Sequence, residues 1–294
     1  MKFLSDLMID KNVEHIEKID FSTDNAGELD LSELDIVTDV YDISQYPNEQ
    51  YALLRKDGLG TSDASIVLGV NPYKTKADLI AEKCRNYLTP EEIAVGDKVP
   101  VIKGRTLEPF IIHKHSKIMD QRILKPVHMY RHKEYPHIKF NFDGVIDKVY
   151  KEDGTYQYIP DEIKVVTRSG ERHYNKQKAF FSERGGFTEL PEHYEERNIS
   201  IEQKANAYGI PPYYYTQLQQ QIMGCNAPFG FLTVLMESRW EIFSYFVWRD
   251  QKMINELIIE TSKVWNTIEM TRAKDFKLGV EMLDKNGKPT GEVR

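Results

Sequence analysis

Two neighbouring segments with a side-chain period of two constrain the fold most strongly. Residues 138–150 and 156–167 alternate between apolar and polar side chains over much of their length, which is the pattern of β-strands. The residues between them, Glu152-Asp153-Gly154, are typical of a tight turn. The sequence therefore predicts an antiparallel strand pair near the middle of the chain.

This strand pair is expected to bring three chemically active side chains together. Because alternate residues of a strand share a face, Glu162 and Lys164 point to one side and Ile163 to the other. Asp143 lies at a bend in the preceding strand, and hairpin pairing sets it beside Glu162. Two carboxylates bind a hard divalent ion such as Mg²⁺, which polarises a phosphate, and an ammonium stabilises transition-state charge. The group predicts phosphodiester hydrolysis.

The spacing Asp-x(18)-Glu-x-Lys is weak evidence by itself, because charged residues alternate on many exposed strands. The flanking segments add helices and a second strand pair. The predicted helices are 75–87, 104–118 with Pro109 near its start, 210–224 and 251–271, and the second hairpin joins 229–237 to 241–249. This order predicts an α/β fold with a central mixed β-sheet flanked by helices.

The charge is unevenly distributed along the chain. Residues 1–50 contain 13 acidic residues and 3 lysines, a net charge of −10, whereas the whole chain carries −7, so the remainder carries +3. The first segment is predicted to be a solvated acidic leader. An alternative is that it contacts a partner or covers a DNA groove.

Composition restricts the class of protein. Hydrophobic residues make up 40% of the chain and charged residues 29%, which is ordinary for a globular protein. No apolar run is long enough to cross a bilayer, so we expect a cytoplasmic location. The two cysteines, Cys84 and Cys225, lack zinc-ligand spacing and are predicted to be buried free thiols.

Four blocks of sequence, in order, resemble the YqaJ-like viral recombinase family, the family of phage lambda exonuclease. They are 58–69 with Asn71-Pro72-Tyr73, 104–109, Phe142-Asp143-Gly144 with Glu162-Ile163-Lys164, and 210–219 with Met223. The resemblance covers about residues 52–250. It implies a restriction-endonuclease-like core of the PD-(D/E)xK nuclease superfamily.

The resemblance also implies residue roles. The implied catalytic residues are Asp143, Glu162, Lys164 and Gln217. The implied metal ligands are Asp143, Glu162, Glu108 and Ile163. Tyr214 would support the site, and Arg55 with Ser62 would hold the 5′-phosphate of a DNA strand, which agrees with the chemistry of an arginine and a hydroxyl near a helix start.

Each of these residues also has an ordinary structural interpretation. Glu108 could be an acid in the first turn of a helix, favoured by the helix dipole. Ser62 could be a helix N-cap, and Arg55 a solvated surface charge. Gln217 could be an exposed amide, and Tyr214 and its two neighbouring tyrosines could pack in the core.

The chain departs from the family in two segments. The leader has no counterpart, and the segment 168–209, with Gly185-Gly186, is a longer insertion that could act as a lid or contact DNA. The sequence therefore divides into a leader at 1–50, an exonuclease domain at 51–272 and a C-terminal hairpin or tail at 273–294.

By resemblance, the expected activity is 5′→3′ exonucleolytic hydrolysis of double-stranded DNA ends with Mg²⁺, or Mn²⁺, in phage-type homologous recombination. The partners that the resemblance implies are DNA ends, a single-strand annealing recombinase and further copies of the chain in a trimeric ring. Two alternatives stay open: an endonuclease or single-strand nuclease of repair or defence, and a non-catalytic module that binds DNA ends.

Overall fold

The computed structural model describes residues 37–42, 48–85, 87–126, 128–150, 154–195, 197–277, 281–283 and 289–293. The strands are β1 Val37–Asp42, β2 Ile123–Leu124, β3 His128–His132, β4 Lys139–Phe140, β5 Gly144–Tyr150, β6 Tyr156–Val166, β7 Phe181–Ser182, β8 Gly186–Phe187, β9 Phe229–Met236, β10 Glu241–Trp248, β11 Glu281–Leu283 and β12 Pro289–Val293. The α-helices are α1 Asn48–Lys56, α2 Ala64–Val67, α3 Lys76–Cys84, α4 Pro90–Ile93, α5 Val99–Met119, α6 Ile201–Tyr208, α7 Pro212–Gly224 and α8 Gln251–Lys277. Single 3-10 turns lie at Thr61–Asp63, Ala94–Asp97, Glu171–His173 and Lys176–Lys178.

A seven-stranded mixed sheet organises the chain. Its strand order is β2-β5-β6-β9-β10-β7-β8. Neighbouring strands are antiparallel except β6 and β9, which run parallel with Glu162 opposite Leu232. The helices α5 and α7 both pack against β6 and β9. The predicted central mixed sheet flanked by helices is confirmed.

The predicted strand pair is present, but its first segment is divided. β5 and β6 pair antiparallel with Gly144 opposite Asp161. Residues 139–140 leave this pair and form β4, which joins β3 in a separate three-stranded sheet. The chain changes sheets at the bend that contains Asp143. Residues 151–153, which carry most of the predicted turn, lie outside the described residues.

Two groups of buried apolar side chains hold these layers together. The larger lines the central sheet and includes Ile163, Phe231 and Ile222. The smaller joins α2 and α3 to α8 through residues such as Val67, Leu79 and Trp265. Burial of apolar surface at about 25 cal/mol per Å² makes such groups the main stabilising contribution. Cys84 and Cys225 are buried thiols, as predicted.

The helix α5 begins earlier than predicted. It starts at Val99, with Pro100 in its first turn, and Pro109 lies in its interior. Proline is favoured in the first helical turn, where its missing N–H has no intrahelical acceptor. The start signal was therefore Pro100 rather than Pro109, and the prediction that Pro109 lies near the start is wrong.

The boundaries of the predicted segments differ from the observed elements. The proposed leader boundary at residue 50 falls inside α1, and residues 37–42 pair with β3. Residues 1–36 and 43–47, the rest of the acidic leader, lie outside the described residues. The segment 168–209 contributes β7 and β8, which extend the central sheet, and α6. β11 and β12 pair antiparallel in the C-terminal segment.

No helix in the described part of the chain combines the length and the apolar character that a membrane span requires.

Candidate active site

The bend before β5 and the middle of β6 bring Asp143, Glu162 and Lys164 together. Lys164 Nζ donates to Asp143 Oδ2 at 2.8 Å and also forms an ion pair with Glu162. The backbone N–H of Ile163 donates to the same Asp143 oxygen at 3.2 Å. The Ile163 side chain is buried in the core, on the opposite face of the strand. The side-chain directions predicted for β6 are therefore observed.

The carboxylate of Glu162 is fully buried and is held by two amides from α7. Gln217 Nε2 donates to Glu162 Oε1, and Gln221 Nε2 donates to Oε2 at 2.6 Å. Gln217 is thus not simply an exposed amide. Gln221 was missed from the sequence, although its spacing of four residues from Gln217 places both on one face of a helix.

Burial and charge shift the protonation of this group. Burial, followed by the charge of Asp143, raises the pKa of Glu162 to about 8. Burial acts to lower the pKa of Lys164, but the charges of Asp143 and Glu162 outweigh it and raise that pKa well above its usual value. The two acids therefore favour the ammonium form of the lysine.

Glu108 lies near this group but has a different partner. It occupies the third turn of α5, so the alternative of a first-turn helix acid is wrong. Its Oε1 lies 2.5 Å from Lys125 Nζ. Burial, followed by the charge of Asp143, raises the pKa of Glu108. The two acids are thus close enough to interact electrostatically.

The oxygen atoms around Lys164 suit a hard divalent cation. Besides the two carboxylates, the backbone carbonyl of Ile163 accepts from Lys164 Nζ at 2.9 Å. The Lys164 ammonium contacts three oxygen atoms, so this position favours a positive charge. Mg²⁺ and Mn²⁺ both prefer oxygen ligands. Within the described residues, however, no three His, Cys, Asp or Glu side chains are grouped closely enough to hold a metal. The carboxylates of Asp143 and Glu162 are therefore suitable ligands for such an ion, whereas the carboxylate of Glu108 is paired with Lys125.

Tyr214 lies beside the lysine. Lys164 Nζ stands 5.7 Å from the centre of the Tyr214 ring, which is within range of a cation–π interaction. Burial raises the pKa of Tyr214, although the Lys164 charge opposes that rise. The phenol is therefore neutral at ordinary pH and can donate a hydrogen bond.

Arg55 and Ser62 meet in a separate cavity of about 540 Å³. An Arg55 guanidinium nitrogen donates to Ser62 Oγ at 2.8 Å. Ser62 is not an N-cap: Gly60 precedes the 3-10 turn, and the Asp63 carboxylate accepts from the Gly60 N–H. The other basic residues lining the cavity are Lys56, Lys74, Lys83 and Arg105. Acidic residues also line it, and they are Asp63, Glu82 and Glu92.

Hydrogen bonds connect this cavity to the buried glutamate. Tyr51 lines the cavity, and its hydroxyl accepts from Asn141 Nδ2 at 2.6 Å. The backbone carbonyl of Asn141 accepts from Gln221 Nε2 at 3.0 Å, and the same amide holds Glu162. A series of hydrogen bonds therefore links the wall of the cavity to the buried carboxylate.

Two solved structures are similar to the chain. One is an alkaline exonuclease, LHK-Exo, from Laribacter hongkongensis, with 14% identity, a TM-score of 0.49, and coverage of 77% of this chain and 95% of that one. The other is LHK-Exo in complex with dAMP, with 16% identity, a TM-score of 0.49, and coverage of 79% and 100%. No curated protein matches the chain by sequence. The model of the YqaJ-like viral recombinase domain matches residues 50–227, which is more than half of the sequence, and the chain therefore belongs to the YqaJ-like viral recombinase family.

Proposed function

We propose that the chain is a metal-dependent 5′→3′ exonuclease that hydrolyses phosphodiester bonds at double-stranded DNA ends during phage-type homologous recombination. The observation that carries the proposal is the contact of Lys164 Nζ with both Asp143 and Glu162. Membership of the YqaJ-like viral recombinase family supports the assignment to the deoxyribonucleases. A protein that only bound DNA ends would have no need of this buried and costly arrangement of charges.

The residues around Lys164 would have separate roles in metal binding and catalysis. Asp143, Glu162 and the Ile163 carbonyl would hold Mg²⁺, or Mn²⁺, and Glu108 would approach the ion only after leaving Lys125. When bound, the ion polarises the scissile phosphate as a Lewis acid. Gln217 and Gln221 orient the Glu162 carboxylate. Lys164 supplies a positive charge against the charge that develops on the phosphate oxygens.

The cavity beside Arg55 and Ser62 would hold the 5′-terminal phosphate. Its guanidinium and hydroxyl are already hydrogen-bonded to each other at 2.8 Å, so they are oriented before the ligand arrives. A terminal phosphate held at a set distance from the carboxylates would select the end of a strand and give the reaction its polarity. Contacts to phosphates carry no base information, so cleavage should tolerate sequence and weaken with salt.

An exonuclease of this kind would act in DNA recombination in the cytoplasm, or in the host cytoplasm if a phage encodes the protein. We expect a single-strand annealing recombinase as partner, since resection of one strand exposes the other. Further copies of the chain, three in a ring, would keep the enzyme on duplex DNA.

The test is digestion of linear duplex DNA that carries either a 5′-phosphate or a 5′-hydroxyl, in Mg²⁺ and in EDTA, with Lys164→Ala as control. We expect release of mononucleotides that needs Mg²⁺, is faster from the 5′-phosphate and is lost in the variant. Cleavage of closed circular DNA would instead indicate an endonuclease. Tight binding of ends without hydrolysis in any metal would indicate a binding module.

A further inference from the structure

Tyr73 projects from the surface although it is a large aromatic residue. Its exposed fraction is 80%, against 56% for Trp240, another exposed aromatic side chain. The turn that carries it is held in place: the Asn71 side chain accepts from the backbone N–H of Tyr73 at 2.8 Å and donates to Ser65 Oγ at 2.8 Å. The ring is therefore presented to solvent from a fixed backbone, and it contributes little to the core.

A series of aromatic rings leads from Tyr73 to the catalytic lysine. The Tyr73 and Tyr213 rings meet edge to face with centroids 6.0 Å apart. Tyr213 and Tyr214 are 4.5 Å apart, and Tyr214 lies beneath Lys164 Nζ. Tyr73 thus marks the solvent-facing end of a continuous aromatic surface that ends at the active site.

The next residue of the chain, Lys74, lies at the proposed phosphate cavity. Lys74 lines the cavity that contains Arg55 and Ser62. Adjacent residues of one turn therefore reach the proposed phosphate cavity and the aromatic series. A nucleotide with its phosphate in the cavity would have its base beside this turn.

We propose that Tyr73 and Tyr213 form a stacking platform for an unpaired nucleobase at the 5′ end of the strand that is cut. This inference rests on the proposed function for the identity of the strand. An aromatic face stacks on any base, so it holds the terminal nucleotides without reading sequence. A stacked base also stays separated from its partner strand, which leaves the backbone free to enter the active site.

The experiment measures stacking without cleavage, in EDTA. Linear duplexes with a 5′-phosphate carry 2-aminopurine, a base whose fluorescence is quenched by stacking, at the first, second or third nucleotide of that strand. We expect quenching at one position with the unaltered protein and with Tyr73→Phe. Tyr73→Ala should lose the quenching and bind the duplex roughly ten-fold more weakly. Trp240→Ala is the matched control and should behave as the unaltered protein.

An abasic nucleotide at the quenched position separates stacking from other effects. On that duplex, the unaltered protein and Tyr73→Ala should bind equally, because the base that the ring contacts is gone. A difference that persists on the abasic duplex, or unchanged quenching in Tyr73→Ala, would overturn the platform. Because binding is read in EDTA, these results are independent of cleavage in Mg²⁺, whose absence would count against the proposed function instead.

Discussion

Gln221 Nε2 donates a 2.6 Å hydrogen bond to Glu162 Oε2, and both side chains are withdrawn from solvent. The same amide donates to the Asn141 carbonyl at 3.0 Å, so the helix α7 is tied both to the carboxylate and to the bend before Asp143. A buried carboxylate with few partners is costly and can rotate. Gln221 therefore acts as a positioning residue that sets the direction of the Glu162 oxygens.

Replacement of Gln221 by leucine should lower nuclease activity by roughly 10- to 100-fold, because residues that orient a metal ligand have effects of this size. The Mg²⁺ concentration that gives half-maximal activity should rise, since the carboxylate would meet the ion in a less suitable orientation. A titration of initial rate against Mg²⁺ measures both quantities.

Gln220 offers a matched control for this variant. It is equally buried on the same helix, but its amide donates to backbone carbonyls of Leu59 and Lys139 at 3.4 and 3.0 Å. Gln220→Leu should reduce stability and leave the Mg²⁺ dependence unchanged. An equal change of Mg²⁺ dependence in the two variants would contradict the positioning role of Gln221.

Removal of the Lys164 charge should destabilise the protein in the absence of metal. The ammonium separates Asp143 from the buried Glu162, and breaking a fully buried ion pair costs roughly 3–5 kcal/mol. Because Lys164 and Asp143 are partly exposed, we expect Lys164→Met to lower the free energy of unfolding by only about 2 kcal/mol. Urea denaturation in EDTA measures the loss.

The double variant Lys164→Met/Glu162→Gln provides the check. It replaces the remaining buried acid, whose raised pKa keeps it protonated near neutral pH, with a neutral amide. In alkaline solution, where Glu162 ionises, most of the lost stability should therefore return while activity stays absent. If the double variant were less stable than Lys164→Met, electrostatic repulsion between the two acids would not be the cause.

Lys139 should make stability depend on alkaline pH. Burial lowers its pKa from 10.5 to about 8, although Asp57 opposes that shift. Between these two values the unfolded chain binds more protons than the folded protein, so the free energy of unfolding should increase with pH. At about 1.4 kcal/mol per pH unit, the increase is at most about 3 kcal/mol. Lys139→Met should flatten this rise in urea denaturation curves measured from pH 7.5 to 10.5.

Asp57 supplies a second test of the same effect. Its carboxylate lies 3.7 Å from Lys139 Nζ and holds the pKa of the lysine up. Asp57→Asn should therefore move the onset of the rise in stability to lower pH. An unchanged profile in both variants would assign the alkaline behaviour to other groups.

Arg55 should control discrimination between DNA ends. Its guanidinium reaches Ser62 Oγ at 2.8 Å within the basic cavity. Arg55→Met should bring the ratio of cleavage rates for 5′-phosphate and 5′-hydroxyl duplexes close to one, because a charge-assisted contact to the phosphate is lost. Single-turnover cleavage of the two duplexes gives the ratio.

Arg85→Met is the matched control for the end-discrimination test. Arg85 pairs with Glu92 at 2.8 Å and does not line the cavity. Its loss removes one positive charge from the same region but should preserve the preference for a 5′-phosphate. A similar loss of preference in both variants would show that net charge, rather than the Arg55 contact, selects the end.

Local patterns in the sequence were sufficient for the strand pair and the three central residues. Because alternate residues of a strand share a face, Glu162 and Lys164 lie on the same face of β6 whatever its position in the sheet. Antiparallel pairing of β6 with the preceding strand then places Asp143 beside them. The helix α7 was equally predictable, because Pro212 and Gly224 mark its ends within one continuous segment. The family blocks added Gln217 and Tyr214, whose partners no local pattern specifies.

The structural role of Gly58 could not be predicted from the sequence, although the residue belongs to a family block. It begins the first family block, has φ of +154°, and a Cβ there would lie 2.8 Å from Lys139 Cε and 2.9 Å from the His137 carbonyl. The backbone runs close to the β4 segment here, with Leu59 N donating to His137 O at 2.7 Å. Only the assembled structure shows that the glycine permits this approach.

The sequence by itself determined the β5–β6 and β9–β10 strand pairs, the helix α7 and the chemistry of Asp143, Glu162 and Lys164, because these depend on residues close together in the chain. Only the tertiary structure decided that Gln221 holds Glu162, that Glu108 pairs with Lys125, and that the Tyr73 ring contacts Tyr213. These contacts join segments far apart in sequence. Their geometry is set by how helices pack on the sheet, and no period or spacing along the chain encodes it.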